Sequence, residues 1–259
     1  VRLGFSLVVS LMAFVACVDG DPPARDPAPA SAVNSARTRD SLVSTVEGRD
    51  RLAADLSKNR GRVLEVLAKA SPPHDVALAV RLMVEARGED KLTFASWLVD
   101  RGPRSAPVLV ELLGTATDLS TTVQTLQILG KLKEWKAIPV IKTRLGDRDA
   151  WVRMASAHAL GEIGGQGVVS ALGELMTDSE APVVAAAVIA IGKSGDREGL
   201  PRVLNALGHA NPRVRGAAAS AVGRLGSVTD AVRLRALLED PDQGVRYKAA
   251  EALDLLAAE

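Results

Sequence analysis

The side chains best suited to nucleophilic, acid–base or metal chemistry in this 259-residue chain are one cysteine, Cys17, and three histidines, His74, His158 and His209. A protein metal site needs several convergent ligands, and no second histidine or cysteine stands at i+3 or i+4 from any of these. No H-x-x-x-H, cysteine pair, G-x-S-x-G or phosphate-cradling loop occurs. The expectation is therefore no catalytic residue, no metal and no cofactor. Two sets of charges are spaced regularly enough to act together. Asp147, Asp178 and Asp240 form one, with His209 in their column; Arg153, Arg215 and Arg246 form the other, with Val184 interrupting it. Such columns could present a charged ladder to a partner.

The elements that must carry these columns are read from a repeat. Val152, Val183, Val214 and Val245 are successively 31 residues apart, as are Gly130, Gly161, Gly192 and Gly223, and Leu129, Leu160, Ile191 and Val222. Asp149, Glu180, Asn211 and Asp242 keep the same period. Each unit reads as two helices. The first opens behind an acidic residue or Asn that can cap the orphan N–H groups of its first turn, with Pro212 at the first helical position of its unit. It ends at glycine, with Gly165, Gly195 and Gly226 as left-handed caps. The second helix follows at "VVSALGELM", "GLPRVLNAL" and "AVRLRALLE".

One stretch, "NPRVRGAAASAVGRLG" over 211–226, looks like a poor helix, because its apolar residues are mostly alanine and glycine sits in its body. Glycine there costs up to about 1 kcal/mol. Val214, Ala217, Ala218, Ala221, Val222 and Leu225 nevertheless recur at helical steps. Small residues at every repeat imply helix backbones that approach closely. A larger side chain at Ala218 should therefore overpack the stack.

"DAWVRMASAHALGEIG" and "NPRVRGAAASAVGRLG" resemble the short HEAT-like repeats also seen in phycobilisome lyase subunits. The resemblance implies an all-α, right-handed α-solenoid of stacked helical hairpins. It extends over 116–259, ending in a capping helix where Asp254 replaces the column glycine. Residues 39–115 are helical but off-period, as degenerate repeats or a cap. In this family the acidic and arginine columns tie the loops of one unit to the next, which gives Asp147, Asp178, Asp240, Arg153, Arg215 and Arg246 a structural role. The second helices of the family line a concave face. The variable residues there, Lys142, Glu174, Arg202, Asn205, Arg233 and Arg235, are the candidate contacts to a protein or peptide, forming a mildly basic strip. Trp135 and Trp151 fall near turns, where exposure is expected, and Trp97 is expected in the core. The implied function is a non-enzymatic protein-binding scaffold; a lyase or chaperone for chromophore or cofactor attachment is the alternative. The net charge of +1 lacks the basic surplus that nucleic-acid binding requires.

The first 17 residues form a separate signal. Arg2 precedes the uncharged run 3–16, which is shorter than the about 20 residues that span a bilayer. The run ends in "FVAC", with Ala16 before Cys17. It is similar to a bacterial lipoprotein signal, in which that cysteine is acylated and becomes the mature N-terminus. An ordinary signal peptide or an uncleaved anchor are the alternatives. The resemblance implies a lipid-anchored protein of the bacterial envelope. Val18 rather than Asp after the cysteine favours the outer over the inner membrane. Residues 18–38 are rich in proline and alanine and read as a disordered tether.

Overall fold

A computed structural model describes residues 60–69, 74–165 and 167–257, all helices and turns with no strand among them. The signal-like segment ending at Cys17 and the 18–38 tether lie outside the described residues. Among the described residues no helix is long and apolar enough to cross a membrane. Contacts divide the chain into two compact units, meeting at Thr117 and Asp118.

The first unit contains α1 (Arg60–Lys69), α2 (His74–Glu85), α3 (Gly88–Asp100) and α4 (Ala106–Thr115). α2 packs on α3 around Leu78, Leu82, Met83, Phe94 and Leu98, all sealed from solvent. Ser105 Oγ donates to the Leu98 carbonyl at 2.8 Å, which fixes the turn between α3 and α4.

The second unit is a solenoid. Its first helices are α5 (Leu119–Lys131), α7 (Ala150–Ile163), α9 (Ala181–Ser194), α11 (Pro212–Leu225) and α13 (Gln243–Ala257). Its second helices are α6 (Ile138–Thr143), α8 (Val168–Glu174), α10 (Leu200–Ala206) and α12 (Ala231–Ala236), and each is extended by a 3₁₀ turn at one or both ends or by a hydrogen-bonded turn. Each first helix packs on the next, and Ile141, Val168, Leu172, Val203 and Leu234 of the second helices seal the layer from its other side.

The small residues are explained by the stacking of first helices. A Cβ placed on Gly161 would lie 2.7 Å from the Ala190 Cα, and one on Gly192 would lie 2.7 Å from the Ala221 Cβ. Gly130 meets Ala159 and Gly223 meets Ala252 in the same way, at 3.0 and 2.9 Å. Each first helix thus offers a glycine on which the next seats an alanine. In α11 burial takes in Gly216 and Ala219 as well as the expected stripe, because neighbours flank the helix on both sides. Ala218 is fully buried, whereas Ala217 is only half-buried.

The helix ends follow the expected chemistry with three corrections. Asp149, Asn211 and Asp242 accept from the backbone N–H groups of Trp151, Arg213 and Val245 at 2.8, 2.9 and 3.0 Å. Glu180 does not cap α9 with its side chain; it carries one more methylene than Asp, and its own N–H instead donates to Asp178 at 2.9 Å. Gly164 rather than Gly165 is the residue that closes α7, at φ 66°. Gly195 is left-handed as expected, but Gly226 is extended at φ −74°, held by the Ser227–Asp230 capping box that follows it. In the same column Lys133 is left-handed at φ 51° without being glycine.

Candidate functional site

The ladder residues are engaged with each other. Arg153, in the first turn of α7, makes a two-pronged pair with Asp178 of the next loop: Nε to Oδ2 at 2.7 Å and Nη2 to Oδ1 at 2.9 Å. Its Nη1 donates to the carbonyl of Asp147 at 2.9 Å and that of Arg148 at 3.3 Å, in the loop before it. Arg215 repeats the pattern with Asp240 at 2.7 and 2.8 Å and with the carbonyls of His209 and Ala210, both at 2.9 Å. Arg246 Nη1 holds the Asp240 and Pro241 carbonyls at 2.7 and 3.1 Å. The hydrogen bond from each arginine is the main reason that Asp178 and Asp240 are held below the ordinary carboxylate range; the same bonds raise Arg153 and Arg215. Asp147 lies 3.5 Å from Arg144 and accepts from the Asp149 N–H at 3.0 Å. Arg153 and Arg215 therefore each fasten two successive loops, Arg246 holds the one before it, and these charges are committed to the scaffold.

One rung between the intact ones lacks both of its charges. Val184 stands where the arginine would be and is buried, while His209 stands where its aspartate would be, 25 residues on, the same offset that separates Arg153 from Asp178. His209 keeps half of the aspartate role: its Nδ1 accepts from the Asn211 N–H at 3.0 Å.

The six candidate contact residues on or beside the second helices, Lys142, Glu174, Arg202, Asn205, Arg233 and Arg235, are all exposed. Arg202 and Asn205 come together, with Gly173, Met176, Val184, Ala206 and His209, around one depression of about 240 Å³. Lys142, Glu174, Arg233 and Arg235 do not line it. The Arg202 side chain lies over Gly173, where a Cβ would sit 2.9 Å from its Nε. Lys142 reaches toward Gly167 at the start of the next second helix.

The family model for HEAT repeats matches residues 106–191 and 177–254, more than half of the chain. The chain belongs to the HEAT-repeat family. No curated protein matches it. Among solved structures it is similar to the complex of CpcE and CpcF of phycocyanin lyase from Nostoc sp. PCC7120, at 23% identity and TM-score 0.53, over 71% of this chain and 78% of that one. It is also similar to a designed armadillo repeat protein in complex with the peptide (KR)4, at 18% identity and TM-score 0.51, over 80% of this chain and 98% of that one. A third likeness is to the S. pombe condensin Cnd3–Cnd2 subcomplex, at 19% identity and TM-score 0.51, over 83% of this chain but 32% of that one. At these identities the likeness is one of fold.

The remaining sequence candidates separate along the HEAT stack. His158 shares a column with Ser220 and Glu251 and is half-buried; its pKa falls through burial first and the Lys193 charge second. Glu162, four residues on, does not join it as a ligand, because it pairs with Lys193 at 2.5 Å. Among the described residues no group of three His, Cys, Asp or Glu side chains could hold a metal ion. Trp135 and Trp151 are exposed at 67% and 65%. Trp97, expected in the core, is only half-buried, since Arg101 covers its ring at 4.3 Å. Sequence reasoning missed a groove of about 610 Å³ along the first helices α9, α11 and α13, lined by Gly216, Ala217, Ser220 and Tyr247 among others. Its signal was the column Met154, Ala185, Gly216, Tyr247, where side-chain volume drops to nothing at one unit.

Proposed function

We propose that this HEAT-repeat chain is a non-enzymatic scaffold that binds a protein or peptide partner along its second helices. The observation that carries this reading is the division of its charges. The ladder arginines and aspartates are consumed in bonds that hold the loops, whereas Lys142, Glu174, Arg202, Asn205, Arg233 and Arg235 are exposed and take no intramolecular side-chain bond among the described residues. Extended faces of this kind are what solenoids offer to partners. Photo-crosslinkers at positions 142, 202, 233 and 235 test the reading: partner capture from these sites, and none from the first-helix position Arg224, is the expected result.

The scaffold is proposed to act from a membrane of the bacterial envelope, the outer membrane by preference, through a lipid on Cys17. The support is sequence alone: the uncharged run 3–16 ending in "FVAC". Cell fractionation with intact-mass analysis of wild type and Cys17→Ser tests it. Lipid mass and membrane association lost in the variant support the tether; a wild type found soluble and unmodified would remove it. The second reading is a lyase-type or chaperone role in chromophore attachment, favoured by the likeness to the CpcE–CpcF complex. A shifted bilin absorption band on mixing with the purified protein would establish it in place of the scaffold.

A further inference from the structure

The missing rung of the ladder leaves space as well as a gap in bonding. Both rung positions, Val184 and His209, line the depression of about 240 Å³, and Arg202, Asn205, Met176, Gly173 and Ala206 complete its wall. In the two-pronged rungs an arginine on the first helix meets a carboxylate at the position that His209 holds here. At the missing rung the groups that remain are donors. Arg202 takes no carboxylate partner among the described residues, and its guanidinium is laid across the helix below by the absence of a side chain at Gly173. His209 spends Nδ1 as an acceptor for the Asn211 N–H, which makes Nε2 the donor of that tautomer. Asn205 adds an amide. No acidic side chain lines the depression.

We infer that this depression is a carboxylate-binding subsite which receives an Asp or Glu side chain of the protein partner. The inference rests on the scaffold reading and specifies its partner: the partner supplies the acid that this chain has lost from its own ladder. Charge complementarity decides the ligand, since Arg202 is the unpaired charge at the site and a guanidinium recognises a carboxylate with two parallel bonds. The volume suits one short acidic side chain rather than a folded segment.

The test is an NMR titration of the full chain, following the Arg202 Nε–H and His209 ring signals. The probes are a blocked glutamate-containing peptide, its glutamine counterpart and inorganic phosphate. The glutamate peptide should give saturable shifts at both signals, and its glutamine counterpart should bind about tenfold more weakly or worse, as loss of a charge-assisted bond implies. Arg202→Gln should lower affinity for the glutamate peptide similarly. The double variant Val184→Arg, His209→Asp rebuilds the rung and fills the space. It should abolish binding while melting no lower than wild type, so the loss is not one of folding. Equal binding of the two peptides, or undiminished binding to the rebuilt rung, would overturn the inference. So would phosphate binding as tightly as the glutamate peptide, because the site would then take free anions. If partner crosslinks persist at positions 142, 233 and 235 while the peptide fails at Arg202, the subsite is wrong and the scaffold stands; if no site crosslinks, the scaffold reading itself fails.

Discussion

The same substitution, glycine to alanine, should move stability in opposite directions at two positions one helix apart. At Gly192 the added Cβ would lie 2.7 Å from the Ala221 Cβ and 3.0 Å from its Cα. Carbon atoms rest comfortably at roughly 3.5–4.0 Å, so α9 and α11 must separate, and the atom in the way is partly backbone and cannot rotate aside. Overpacking of this kind costs about 1–3 kcal/mol. Alanine recovers at most about 1 kcal/mol of helix propensity, less in a last turn. The net expectation for Gly192→Ala is a loss of about 1–2 kcal/mol. At Gly216 the nearest atoms to the new Cβ are Lys248 Cγ at 3.8 Å and Val245 Cγ2 at 4.0 Å, which is ordinary contact. Gly216→Ala should therefore gain about 0.5–1 kcal/mol from propensity and reduced freedom of the unfolded chain. At roughly 3 °C per kcal/mol for a unit of this size, the two variants should fall on either side of wild type in thermal unfolding followed by helical circular dichroism. Hydrogen exchange should place the lost protection of Gly192→Ala in α9 and α11. If both variants shift the melting temperature in the same direction, the close-approach account of the glycine column is wrong.

Ala218→Leu, at a position with no exposure, should cost about 1–3 kcal/mol by urea unfolding. Lys133→Gly should stabilise the fold by about 1 kcal/mol, read as a higher urea midpoint, since it removes a side chain from a left-handed position without touching the helix. Arg153→Ala removes the two-pronged pair with Asp178 and two bonds to the preceding loop; after discounting for solvent screening it should cost about 1–2 kcal/mol. The arginine lowers the folded-state pKa of Asp178, so that stabilisation is full above the unfolded carboxylate pKa and is lost as pH falls through the depressed one. The gap between Arg153→Ala and wild type should accordingly shrink in acid, and a constant gap in unfolding midpoints down to strongly acidic pH would count against it. His158 also has a lowered folded pKa, so its neutral form favours the fold above its unfolded pKa and stability falls as it is forced to protonate. His158→Gln should flatten the decline in melting temperature on acidification below neutral pH.

The fold was legible because its period is strict. Four valines and four glycines at one spacing name the stacked helices, and the glycines face alanines that keep the same spacing, from Ala159 to Ala252. What the period could not supply was local geometry. Gly226 and Gly195 share a column, yet one is extended and the other left-handed; a reciprocal Ser227–Asp230 capping box follows the first, whereas Asp196 alone caps the turn after the second. Glu180 shares a column with three capping residues but its longer side chain does not cap. His158 is half-buried and feels the Lys193 charge of the adjacent helix, which a single-helix stripe does not see.

The candidate site was legible as a set of residues but not as an arrangement. In the sequence Arg202 and Arg215 are two arginines on helices of one repeat pattern. In the structure Arg215 closes a loop with four hydrogen bonds, whereas Arg202 lies over a glycine without a carboxylate. The difference traces to a pair of departures. Val184 breaks the arginine column and His209 breaks the aspartate column, and read separately each looks like drift in a degenerate repeat. The offset of 25 residues, which the intact rungs reveal, makes them two halves of one lost bond. At this rung no charge is left beside the loop without its partner, whereas Asp147, whose arginine position is held by Thr122, pairs with Arg144 of its own loop. The paired change therefore keeps the stack intact while opening a polar depression in the face that carries the unpaired charges. Rebuilding the rung should change binding without weakening the fold, an outcome that random drift in the repeat has no reason to produce.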